Sequence, residues 1–130
     1  MSNFSNYSET AICNWLRGNA NMAATGTRYL GLFNGSPTDT GSGGTEVTTQ
    51  IRTAGRLAVT FGTPTDGVMQ NSAAVEFGAA ANSAGVTHFG VFDAASSGNL
   101  LFWGALLTSK SIDSSDIVTF EANTITVTVA

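Results

Sequence analysis

Charge is what this chain has least of. Asp, Glu, Lys and Arg make up 11% of its 130 residues, against about 25% in an ordinary soluble domain. Ser, Thr, Asn, Gly and Ala fill the difference, so the surface is neutral and rich in hydroxyls. The cations Arg17, Arg28, Arg52, Arg56 and Lys110 form no stripe and the net charge is −4, which gives a phosphate backbone no electrostatic footing, and no nucleic acid partner is expected. The lone cysteine, Cys13, excludes an internal disulfide and a thiolate zinc cluster; among its apolar neighbours it reads as a small buried hydrophobe. No apolar run approaches about 18 residues, and the stretch from Met1 to Tyr7 has neither a basic nor an apolar signal segment. Synthesis in a cytoplasm, with no membrane partner, is the expectation.

Catalytic chemistry is equally short of material. His88 is the single histidine; it lies mid-strand, outside any hydrolase signature, and a transition-metal site would need further imidazole or thiolate donors. The loop Gly35 to Gly44 is glycine-rich and follows a strand, but no Gly-Lys-Ser/Thr comes after it, and Glu46 would repel a phosphate. Asp113-Ser114-Ser115-Asp116 places two carboxylates close together, yet it lacks the glycine and terminal glutamate of a calcium loop and has the composition of a turn. Nothing in the spacing of Glu46, Glu76 and Glu121 pairs two carboxylates for glycoside hydrolysis. No catalytic residue, metal ligand or cofactor is assigned, and the expected class is non-enzymatic.

What the chain does have is a phrase used three times: Tyr29-Leu30-Gly31-Leu32-Phe33, His88-Phe89-Gly90-Val91-Phe92 and Phe102-Trp103-Gly104-Ala105-Leu106. Successive side chains on a strand point to opposite faces, so a strand built this way is apolar on both and asks to be covered on both. A helix, a second sheet or a neighbouring subunit could supply the second cover.

The periodicity predicts about seven or eight short antiparallel strands with turns at roughly ten-residue intervals, a single β-sandwich of jelly-roll-like character, preceded by one short helix. The helix spans 6–17, with Asn6 as N-cap, Glu9 as its partner and Gly18 as the stop. Tyr7, Ala11 and Trp15, with Ile12 and Leu16, form an apolar stripe that packs on the sheet or reaches a neighbour. Strands are expected at 27–34, 56–61, 68–77, 86–93, 99–107, 117–120 and 124–129. Those at 56–61 and 68–77 form one hairpin around Pro64-Thr65-Asp66-Gly67, and those at 86–93 and 99–107 form another. Residues 1–26 are an arm and helix, and 27–130 the sandwich domain.

Low charge, doubly apolar strands and a Gly/Ser/Thr loop suit a protein whose product is an interface. The candidate contact residues are Trp15, Arg28, Gly41, Gly43, Gly44, Glu46 and Trp103, and a closed homo-oligomer, dimer or trimer, is the expected way to bury them.

The succession Tyr29-Leu-Gly-Leu-Phe33, Gly43-Gly-Thr-Glu-Val47, Arg56-Leu-Ala-Val-Thr-Phe61, Asn71-Ser-Ala-Ala-Val-Glu-Phe77, His88-Phe-Gly-Val-Phe-Asp93 and Leu101-Phe-Trp-Gly-Ala-Leu106 resembles a family of small tailed-phage virion proteins often labelled tail fibre proteins. The resemblance covers roughly 27–129 and implies a non-enzymatic virion component. Similar small β-sandwich proteins act as capsid cement. With no shaft repeat or coiled coil in the chain, the preferred expectation is a cement or decoration protein bound to the major capsid protein, the alternative a tail fibre or other protein bound to tail proteins. A carbohydrate-binding module using Trp15 and Trp103 as stacking platforms is a minor third.

Overall fold

The computed structural model describes residues 2–20, 22, 26–48 and 55–129; Arg52 lies outside them. In chain order the elements are β1 (Ser2–Phe4), α1 (Asn6–Leu16), β2 (Arg28–Asn34), β3 (Thr45–Glu46), β4 (Leu57–Val59), β5 (Val68–Gln70), β6 (Val75–Phe77), β7 (Ala84–Phe92), β8 (Leu100–Ile112), β9 (Val118–Phe120) and β10 (Thr126–Thr128). The architecture is mainly β, antiparallel throughout and sandwich-like, with one short helix.

One layer is a six-stranded sheet ordered β1-β8-β7-β2-β3, with β4 sharing the outer edge of β2. β3 pairs with the Phe33–Asn34 end of β2 and β4 with the Arg28–Leu30 end. The other layer is two separate ladders, β10-β5 and β6-β9. Leu30, Leu32, Val59, Val86, Val91 and Phe102 of the sheet meet Val75, Phe77 and Val127 of the ladders, and Ile125 just before β10, in one buried core. Phe120 bridges the layers, edge-on to both Phe77 and Phe89 with ring centroids 6.4 Å apart.

The β7–β8 hairpin forms as its sequence predicts, because two long apolar runs flank a Ser/Gly turn. The other expected hairpin forms only in part: Thr65 and Val68 exchange backbone bonds across its turn, but no continuous ladder follows. Asn71 interrupts 68–77: its side chain is fully buried and makes four bonds to backbone, which ends β5 and sends β6 to a different partner. β4 pairs with β2, and β5 with β10, so the two segments are joined by the bridges Phe61–Asn71 and Thr65–Val68 and by the Gly62 and Ser72 N–H bonds to the carbonyls of Gln70 and Thr60.

The helix also differs in detail. Ser5 caps it rather than Asn6, accepting the Ser8 N–H at 3.2 Å while its hydroxyl donates to the carbonyl of Leu100. Gly18, in the left-handed region at φ 75°, follows its end. α1 buries none of its residues: Trp15 is 51% exposed and Leu16 70%. The stripe is thus no lid on the core, and Cys13, expected to be buried, is exposed. The core closes between the two layers without the helix.

Candidate functional site

Strand register brings the glycine phrases side by side. Gly31 lies opposite Gly90, and Gly90 opposite Trp103, on the sheet face turned away from the core. The resulting trough is filled from within the chain. A methyl group on Gly90 would come within 2.9 Å of Leu100 Cδ1 and 3.1 Å of Phe33, and one on Gly31 within 3.0 Å of Glu46 Oε2. Phe33, Phe92 and Leu100 form a second buried cluster there, with Phe33 and Phe92 stacked at 6.0 Å and Trp103 packed at its margin.

Arg56 closes this cluster. Its guanidinium lies 3.3 Å from the centroid of the Phe92 ring, donates twice to the Glu46 carboxylate at 2.9 Å, and donates to the carbonyls of Ala94 and Ser97 at 2.9 and 2.7 Å. A planar fork stacked on an aromatic ring and paired bidentately is an arrangement that lysine cannot reproduce. The second cover that the doubly apolar strands require is supplied locally, by aromatic side chains under one arginine.

The seven candidate contact residues fall in separate places. Glu46 is committed to Arg56. Arg28, half-buried, sits near Asp93, whose carboxylate accepts the Asn99 backbone N–H at 2.7 Å and the Asn99 side-chain amide at 2.9 Å. Burial alone would raise the Asp93 carboxyl, but the Asn99 bonds and the Arg28 charge hold it below the usual carboxylate range. Gly41, Gly43 and Gly44 belong to a tightly folded loop: the N–H of Gly43 bonds the Pro37 carbonyl at 2.8 Å, Pro37 is buried, and Gly44 has φ 61°. Asp39 in this loop accepts the Asn6 N–H at 2.9 Å through its carbonyl and the Trp103 indole N–H at 3.0 Å through its carboxylate. The loop thereby straps the start of α1 to the outer face, and Trp103 is half-buried beside His88 at 5.9 Å. Trp15 stands apart on the exposed helix.

Side chains with reactive potential do not converge among the described residues. Nδ1 of His88 is 2.8 Å from the Thr87 hydroxyl, with no carboxylate hydrogen-bonded to the ring. Asp116 accepts the Asp113 N–H at 2.9 Å, and Ser83 donates to Asp113 at 3.3 Å, so this acidic pair organises its own turn. No group of three or more His, Cys, Asp or Glu that could hold a metal stands together among the described residues.

One surface feature was not foreseen in the sequence. A groove of about 590 Å³ opens between the second half of β8 and the β9–β10 segment. Its only sequence trace is Leu106-Leu107, an apolar pair that a single alternating strand could not bury on one face.

The family described as Gp80, podophage GP4 fiber I protein gp80, has a model that matches residues 3–128. No curated protein matches the chain.

Proposed function

This chain belongs to the podophage GP4 fiber I protein gp80 family, and from that premise we propose that it is a non-enzymatic structural component of a phage tail fibre. The observation that carries the reading is the extent of the match, from residue 3 to residue 128, which takes in β1, α1 and both layers of the sandwich. Three features of the fold support it. The outer face is closed by its own Arg56 cluster, reactive side chains do not converge among the described residues, and apolar side chains remain on the surface at α1 and beside the groove.

The family supports a tail fibre over capsid cement. The lack of a shaft repeat, which favoured cement, is equally compatible with a compact element at one end of a fibre built with other chains. Tail proteins, rather than the major capsid protein, are then the binding partners.

Quantitative mass spectrometry of purified particles tests the placement. A fibre component should scale with the tail proteins and be lost from tailless heads. Abundance in proportion to the major capsid protein, retained in tailless heads, would return the assignment to cement.

A further inference from the structure

β8 changes character halfway along. Its first half is flanked on both edges, by β7 and by β1 at Phe102–Gly104. Beyond Gly104 no described strand pairs with its outer edge. The register against β7 also breaks there: Ala105 is opposite His88 and Lys110 opposite Val86, so Leu106 to Ser109 bulge against Thr87 alone. Leu107 sits in this bulge, fully exposed. The bulge and Lys110 blunt this edge against strand pairing, and the bulge turns an isobutyl group outward to solvent.

Leu107 stands on the wall of the groove and forms part of its lining. Phe89, Leu106, Val118, Phe120 and Ile125 supply its apolar lining, and Lys110 and Glu121 bring one charge of each sign to it. Among the described residues neither charge is held in an ion pair of its own chain. The volume is within the range of about 300–1,000 Å³ of sites that bury a ligand and far exceeds one leucine side chain. Ile117, also exposed, adjoins the groove next to Val118 and extends the apolar surface.

We propose that this patch is a contact between copies of the chain, in which Leu107 of one copy enters the groove of another. Knob and hole share one patch, so two copies related by a two-fold axis offer each other both at once, and the contact closes on itself. The charges are self-complementary in the same sense: each copy brings a Lys110 to its neighbour's Glu121 and a Glu121 to its neighbour's Lys110. A partner of one charge sign would leave one of the two groups unmatched; a second copy matches both.

Light scattering on the purified chain tests this at about 0.1 mM, where a Kd of about 1 μM would be saturated. The expected mass is twice the 13.3 kDa of one chain. L107D should lower it to that of one chain, weakening self-association about 100-fold or more by placing carboxylates in an apolar groove, while L107M retains assembly. Leu107 is not part of the core, so the far-UV spectrum should not change. Should L107D misfold, a photo-crosslinker at position 107 decides, and linkage to the 118–125 segment of a second copy is expected. A monomeric parent overturns the proposal. So does assembly unaffected by L107D, or assembly abolished by L16D but not by L107D, which would move the interface to α1. Each of these outcomes leaves the fibre assignment standing, because that is tested on particles.

Discussion

Replacing Asn71 with alanine should cost the domain much of its stability, although the residue is neither charged nor apolar. Its amide donates to the carbonyls of Ala73 and Glu121 at 3.0 and 2.9 Å, and its oxygen accepts the N–H groups of Thr124 and Ile125 at 3.0 and 2.8 Å. Every donor and acceptor of the side chain is used. The variant removes four bonds, but their partners are not left equally bare: the Glu121 carbonyl, for one, still accepts the Thr124 hydroxyl at 2.6 Å. The Ile125 bond is buried, so its N–H would be left dry at about 1–3 kcal/mol; the other three are partly accessible, and water recovers part of about 0.5–1.5 kcal/mol each. A total of about 3–5 kcal/mol follows, against a whole-domain stability of about 5–15 kcal/mol, equivalent to a fall in Tm of about 10–20 °C. Urea unfolding followed by far-UV circular dichroism measures it, with the slope unchanged if only stability is affected. A loss below about 1 kcal/mol would refute the reasoning, because the β9–β10 turn would then hold its shape without the amide. N71D adds a sign check. It keeps the acceptor but sets a carboxylate against two carbonyls, so its folded pKa is raised and the variant should gain stability as pH falls through that value.

Two further outcomes are expected. R56K should lose about 1–3 kcal/mol in the same unfolding assay, since the lysine keeps the charge but neither the fork to Glu46 nor the stack on Phe92; an unchanged midpoint would mean that the outer cluster needs no arginine. Asp93 has a lowered folded pKa, so its contribution is present above the unfolded value of about 3.9 and is lost as pH falls through the lower folded one; comparing the midpoints of parent and D93N from pH 6 to pH 2 should show the parent's advantage shrinking over that acid range.

The sheet that carries the glycine phrases was legible because its two long hairpin strands are set by alternation and by a turn of suitable residues, both local signals. Ser5 and Asn6 are both good caps, and only the position of the Leu100 carbonyl chooses between them. Asn71 looks like an ordinary polar position within a strand until the 121–125 turn folds over it, so the split of 68–77 is a tertiary effect. β1 is three residues long with no periodicity to detect, and is ordered by its pairing with Phe102–Gly104. The stripe on α1 is real in sequence and unpartnered in the fold, since periodicity reports an apolar face without saying what covers it. The groove escaped because it depends on a bulge and on strands distant in sequence.

The central claim, that this is a tail fibre protein, is tested most directly by immunogold electron microscopy of intact virions with antibody against the purified chain. The account predicts gold at the tail and none over the capsid faces. Gold distributed over the capsid, with the tail unlabelled, would contradict it.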